Sequence, residues 1–316
     1  MKNTEQLVES VIIMLLLIVI TTILKKVGFL QKKDSTLTSK LVLKITLPSL
    51  ILTSLSSQTF NYQTLTVVAI VMAAEICCLV LAWVGARLLK LSPGETGALM
   101  LVSAFGMSTM LGYPLIEQTF LGNERAMEDA VIISELGVGI LLFLLAPIIA
   151  MTFGDSHFKR KDVIVSVKSF FISPIFISII LGIALSFIKL PESNPIISVV
   201  YKILNLFGAA NLFLVGITIG LLIEFKGVQK FSGFLIMAIL IKLVIQPLIT
   251  YYGLSITNFE TLIKEVATIE TAMPSAILVA IFAKNYNCKP ELVSTTILVT
   301  LIISLISVTV LFGIIF

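Results

Sequence analysis

The chain has 316 residues, 58% of them hydrophobic and only 13% charged, with a formal net charge of +4. Soluble domains carry about 25% charge, so this is a membrane protein with many crossings. Its basic residues, scattered through short connectors, report orientation and imply no nucleic-acid partner.

A spanning helix needs about 20 mostly apolar residues. Ten such segments can be marked, at approximately 7–24, 41–57, 64–89, 96–120, 127–151, 169–188, 196–222, 231–254, 261–283 and 290–315. Segment 1 contains the run Val11 to Ile23 and is followed by Lys25 and Lys26, with no small-residue cleavage site. It is expected to be a retained helix and not a removed signal. Segment 2 carries Pro48, Ser49 and Thr53, and segment 3 carries Glu75 with the adjacent Cys77 and Cys78. With Cys288 in a loop, these thiols have neither metal-ligand spacing nor the look of a disulfide framework. Segment 4 contains the interrupted run Ser103 to Leu115, including Ser108, Thr109, Gly112 and Pro114, and segment 5 contains Glu135. The polar connector 153–168 holds the chain's one histidine, His157, read as a solvated loop residue because no second ligand stands near it. Segment 7 carries Asn205 and Asn211, and segment 8 carries Lys242 and Pro247. Segment 9 is interrupted at Thr271, Met273, Pro274 and Ser275, with Glu270 four residues before the proline.

Charge in the connectors predicts the orientation. Those after segments 1, 3, 5, 7 and 9 contain sixteen basic residues, and the opposite side, termini included, contains five: Lys2, Arg125, Lys189, Lys202 and Lys264. The positive-inside rule then places both termini outside a cell membrane. Five segments per half is an odd number, so the second half inserts upside down relative to the first. The proline-bearing interruption is fourth in each half. The expected organisation is a five-plus-five inverted repeat, 1–152 and 169–316, joined by the cytoplasmic connector 153–168.

Broken backbone at membrane depth is stable only where protein buries it or where it lines a wet cavity. Half-helix N-termini carry unpaired N–H groups and partial positive charge. Together with the hydroxyls of Ser108, Thr109, Thr271 and Ser275 they suit an anion. The plainer reading is a kink sealed by hydroxyls against freed carbonyls. A matched pair of breaks favours a binding site. Glu270 is expected to carry a proton or sodium, or to serve as a structural partner. Lys242 is expected mainly to compensate charge, at the helix ends or beside Glu270, Glu75 or Glu135, the last two standing away from the breaks in sequence. Pro48, Ser49, Thr53, Asn205 and Asn211 form a second polar set, with Asn211 read first as an interhelical hydrogen bond. No nucleophile motif, Walker loop or dinucleotide fingerprint is present. No enzyme activity and no cofactor are expected.

The run Phe105-Gly106-x-Ser108/Thr109-x-x-Gly112-x-Pro114-Leu115, followed downstream by Ala272-Met273-Pro274-Ser275-Ala276, resembles the auxin efflux carrier family, which includes bacterial malate and malonate permeases. Leu47-Pro48-Ser49-Leu50 and Lys242 followed by Pro247 fit the same family pattern, and the short connector resembles its bacterial members. Met107 stands where the family usually has asparagine, and Asn211 stands where many relatives have an apolar residue or proline. The resemblance implies that the broken helices cross within a moving transport domain of segments 3–5 and 8–10. Segments 1, 2, 6 and 7 would form a scaffold and a homodimer interface. It implies a carrier of small organic anions working by an elevator motion, with coupling to protons or sodium left open. The alternative is a sodium/proton antiporter or sodium-coupled symporter of the same fold. An intramembrane enzyme is not expected, because the segments hold neither a pair of aspartates nor a histidine; Asp129, at the start of segment 5, is their one aspartate.

Overall fold

The computed structural model describes residues 2–56, 62–154, 164–165, 168, 171–188, 194–222, 232–257 and 259–316. His157, Lys189, Lys226 and Lys230 lie outside the described residues. The described chain is helical, and its one pairing of extended backbone is an isolated bridge between Gly106 and Ser275. Segment 1 is α1, Lys2–Lys26. Segment 2 is α2, Ser35–Leu41, and α3, Leu47–Ser56, joined by a wide π turn at Val42–Thr46. Segment 3 is α4, Tyr62–Leu88. Segment 4 divides into α5, Pro93–Ala104, and α6, Tyr113–Thr119, which is led by a π turn at Ser108–Gly112. Segment 5 is α7, Glu124–Ile132, and α8, Ile140–Phe153, continuous through a π turn at Ile133–Gly139. Segment 6 is the shorter apolar helix α9, Pro174–Ile188. Segment 7 bends at Ala210 between α10, Pro195–Ala209, and α11, Asn211–Leu222. Segment 8 is α12, Ser232–Ile239, and α13, Gln246–Ile256, joined through a π turn at Leu240–Ile245. Segment 9 divides into α14, Thr261–Thr271, and α15, Ile277–Asn285, and segment 10 is α16, Pro290–Ile315. Among the described residues, seven helical stretches are long and apolar enough to cross a membrane.

The prolines do less breaking than the sequence suggests. Three π turns end two residues before a proline: Thr46 before Pro48, Gly112 before Pro114 and Ile245 before Pro247. In each, the N–H of the intervening residue reaches back five positions, from Leu47 to Val42, from Tyr113 to Ser108 and from Gln246 to Ile241. A proline ring crowds the carbonyl four residues back and removes one donor. A turn widened just ahead of it takes up that crowding, and the helix continues. Pro114 therefore does not break segment 4. The break lies upstream at Phe105–Met107, where the backbone leaves helical geometry: Phe105 has φ −88° and ψ 123°. In segment 9, by contrast, Pro274 does sit in the non-helical stretch between α14 and α15.

The helices pack in two groups that also touch each other, α1 lying against α6 and α16 and α3 against α7. In one, α3 lies against α9 and α10, and α11 lies against α1 and α2. Gly216 and Gly220 let α11 approach α1 closely, since a Cβ at Gly220 would fall 2.6 Å from Cβ of Thr21, the small-residue packing expected between membrane helices. In the other group α4 packs on α5 and α13, α13 on α14, α5 on α8 and α16, and α15 on α16. Outward faces are apolar, as lipid contact requires. On α10 the exposed stripe is Ile196, Val199, Ile203 and Leu206, with only Gly208 buried.

Candidate functional site

The two interrupted helices meet. The Met107 N–H donates to the Pro274 carbonyl at 2.7 Å, and the Ala276 N–H donates to the Phe105 carbonyl at 2.9 Å. This reciprocal pair makes the Gly106–Ser275 bridge and satisfies backbone that neither helix can satisfy internally. Depth follows from length. The 12 residues of α5 and the 11 of α14 rise about 17 Å each. That is little more than half of a hydrocarbon core about 30 Å thick, so the crossing falls near its middle.

Each incoming half-helix ends in carbonyls that need donors. For α5 the Ser275 hydroxyl donates to Val102 at 2.6 Å, and Thr300 braces Ser275 in turn, its hydroxyl 3.3 Å from the Ser275 N–H and 3.2 Å from the Ser275 Oγ. For α14 the donor is the Lys242 ammonium, 2.9 Å from the Thr271 carbonyl and 2.6 Å from Gln246 Oε1. A cation at a helix C-terminus complements the helix dipole. Lys242 is 1% exposed, and Gly106 makes room for it: a Cβ there would lie 2.9 Å from Nζ. The Lys242 ammonium thus stands at a helix end. It does not hydrogen-bond Glu270, Glu75 or Glu135.

The outgoing half of segment 4 is held by a second network. Ser108 and Thr109 meet the Ser134 hydroxyl at 2.7 and 3.1 Å. Glu135 Oε1 accepts from Thr109 at 2.9 Å and from Tyr113 at 2.9 Å. Glu135, distant from either break in sequence, therefore stands at the first break in space. Glu270 packs on Gly112, where a Cβ would fall 2.7 Å from Oε1 and 2.8 Å from Oε2. Among the described residues neither Glu270 oxygen has a hydrogen-bond partner, and neither Glu75 oxygen has one. Thr271 turns its hydroxyl back to the Ala267 carbonyl at 2.7 Å. Ser108, Thr271, Ser275, Gly112, Pro114, Met273 and Pro274 are all buried, while Thr109 is partly open.

Of the second polar set, Asn211 is fully buried and its Oδ1 accepts from Thr46 at 2.8 Å, tying α11 to the π turn of segment 2. Ser49 is buried and Pro48 partly so. Thr53 and Asn205 do line a cavity of about 630 Å³ between α3 and α10 on one side and α6 and α7 on the other, together with Glu117, Glu124, Glu128 and Lys202. A smaller cavity of about 150 Å³ reaches the crossing at Met107, and its other walls are mostly apolar, with Ile219 and Leu222 of α11 facing Ile277 and Ala280 of α15.

The sequence profile of the membrane transport protein family matches residues 6–312. The chain belongs to that family, which is that of the auxin efflux carriers. It is a membrane transporter and not an enzyme. An uncharacterised transporter of Methanocaldococcus jannaschii is 28% identical over 284 residues, 88% of this chain and 89% of the relative. An uncharacterised transporter of Methanothermobacter thermautotrophicus is 26% identical over 291 residues, 90% of each chain. A Rhizobium meliloti protein provisionally named a malonate transporter is 25% identical over 171 residues, 53% of this chain and 52% of that one.

Residue-by-residue reading missed Tyr113, Ser134, Gln246 and Thr300. Gln246 was detectable, being four residues after a buried lysine and so on the same helix face. The other three become visible only when separate segments are brought together.

Proposed function

We propose that this transporter is a secondary carrier of small organic anions, with the carboxylate held at the crossing and the carbon skeleton in the cavity beside Met107. The observation that carries this reading is the juxtaposition of half-helix N-termini with that mostly apolar cavity. Unpaired N–H groups at the starts of the π turn Ser108–Gly112 and of α15 favour negative charge without an arginine. Thr109, Met107, Ile277 and Ala280 are the side chains within reach of such a ligand. Ser108, Thr271, Ser275 and Pro274 act by holding the crossing in shape. The malonate assignment carried by the Rhizobium relative, which aligns with about half of this chain, points to the same substrate class.

The architecture we propose is the five-plus-five inverted repeat. Its support is that each crossing break falls in the fourth apolar segment of its half. Segments 1, 2, 6 and 7 form the scaffold and segments 3–5 and 8–10 the transport domain, in keeping with the two packing groups. Both cavities lie between these groups, one at α3 and α10 against α6 and α7, the other at α11 against α15 and α16. That placement suits an elevator motion of one group past the other. The exposed stripe of α10 offers a homodimer contact, and the termini face outward, so an impermeant reagent should label a cysteine at Asn123 from outside.

The test is uptake of a panel of organic acids into proteoliposomes, with and without imposed potential, pH and sodium gradients. A potential of 100 mV is worth about 2.3 kcal/mol per charge, so an uncoupled anion is driven by the potential, and one that moves with an equal cation charge is not. Uptake of no acid, with sodium moving against protons instead, would establish the antiporter reading.

A further inference from the structure

Four ionisable side chains are buried together in the second packing group: Glu75, Glu135, Glu270 and Lys242. The one ammonium is committed to a carbonyl and an amide. Three carboxyls against one ammonium is an unbalanced count at membrane depth, where each uncompensated charge costs at least about 2.5–3.5 kcal/mol. Glu135 is eased by two hydroxyl donors. Glu270 is eased by no hydrogen bond: it is 1% exposed and neither of its oxygens has a hydrogen-bond partner among the described residues.

The geometry says where compensation belongs. The Glu270 carboxyl lies flat on Gly112, and the next residue, Tyr113, donates to Glu135. Glu270 lies within electrostatic reach of Glu135, and Tyr113 within reach of both. Two carboxyls, one from α14 and one from the π turn Ile133–Gly139, thus converge on the first turn of the outgoing half-helix. The hydroxyls of Thr109 and Tyr113 lie beside Glu135. The remaining charged neighbour is Lys242 from the Leu240–Ile245 turn, with Glu75 of α4 beyond it. An all-oxygen donor set suits a hard cation, and broken helices are where transporters place coupling ions. We infer that Glu270 and Glu135, with the Thr109 and Tyr113 hydroxyls, form a binding site for one monovalent cation, a proton or sodium, at the first break. The inference rests on the carrier reading for one consequence only, that loading this site accompanies movement of the anion.

The experiment needs no substrate. Melting of the purified protein in lipid nanodiscs is measured in sodium chloride against choline chloride at about 100 mM, and, without sodium, from about pH 5 to about pH 8. Wild type is compared with E270Q and with G112A, in which the added Cβ takes the space the carboxyl occupies. If sodium is the ligand, it raises Tm of the wild type by a few degrees. That rise is lost in E270Q and reduced in G112A. If the proton is the ligand, the Tm difference between wild type and E270Q changes across the pH series. Parallel behaviour of wild type and E270Q in both series overturns the site. Should E270Q fail to fold, a G112A protein with the full wild-type response to sodium and pH overturns it equally. A response lost in E270Q, in a protein that takes up no organic acid, keeps the cation site and removes the anion carrier. Uptake with no cation response does the converse.

Discussion

At the first break the Val102 carbonyl takes its hydrogen bond from a serine hydroxyl; at the second the Thr271 carbonyl takes one from a lysine ammonium. The two breaks share their backbone pairing and differ in what closes them. A hydroxyl is a neutral donor that costs little to bury once bonded. An ammonium brings a full charge, which complements the α14 dipole but must be balanced nearby. The acids follow that asymmetry. Glu75 and Glu270 both lie within electrostatic reach of Lys242, while Glu135 is held by the Thr109 and Tyr113 hydroxyls. Two breaks alike in backbone thus differ in charge, one having a lysine at a helix end and the other the two carboxyls of the cation site proposed above.

The largest expected effect tests the charged closure. Lys242→Met leaves the Thr271 carbonyl without its donor and removes the one ammonium near two buried acids. Breaking such an arrangement costs about 3–5 kcal/mol, read as a large fall in Tm in detergent. A loss below about 1 kcal/mol would mean that the carbonyl finds another donor and that the two closures are equivalent. Ser275→Ala removes the neutral closure and should cost about 1–3 kcal/mol, the penalty of one unsatisfied buried carbonyl. Because the two closures are joined through the bridge, the double variant should depart from additivity by about 0.5 kcal/mol or more. Strict additivity would show that the breaks are braced independently.

Much of this arrangement is legible in the sequence, and the part that is not has a physical cause. The apolar segments stand out by composition, and the two interruptions within them and the isolated charges Glu270 and Lys242 stand out because each violates what lipid tolerates. The location of the first break does not stand out. Pro114 is the obvious helix breaker, yet a π turn absorbs it, and the helix instead opens at Phe105–Met107, where Gly106 admits Lys242 from another segment. Glu135 looked remote because its link to the break runs through Tyr113 and Thr109, side chains on a different helix. The turn at Ala210 is not marked by any proline in segment 7, and Asn211 beside it is one polar residue among several there. Periodicity reports one helix at a time, whereas the partners of a buried polar group are chosen between helices.

The comparison extends to the outer ends of the same two half-helices, where smaller effects are expected. α5 begins with a capping box: the Ser92 N–H and hydroxyl donate to Glu95 at 2.8 and 2.7 Å, and Pro93 occupies the first turn. Those bonds hold the Glu95 carboxyl below its ordinary pKa. The folded state therefore favours the carboxylate. Its contribution is complete above the ordinary carboxylate range and is lost as pH falls through the lowered value. Glu95→Ala should cost about 0.5–1 kcal/mol at neutral pH, and wild type and variant should converge in acid.

α14 begins instead at Glu260, which caps no N–H with its side chain and reaches Arg125 across the surface at 2.8 Å. Arg125 and Glu260 are 47% and 63% exposed, so water and salt screen the pair and two long side chains lose freedom in forming it. An exposed pair of this kind contributes about 0–1 kcal/mol. Arg125→Ala should shift Tm least of all these changes, and the shift should shrink further in high salt, since charges on the surface are screened within about 10 Å at 0.1 M. The pair also joins the start of α7 to the start of α14, both within the proposed transport domain. If that group moves as one body, Arg125→Ala leaves transport rates unchanged. A transport defect with an unaltered Tm would mean instead that α7 and α14 separate during the cycle, and that the boundary between the moving and fixed parts runs between them.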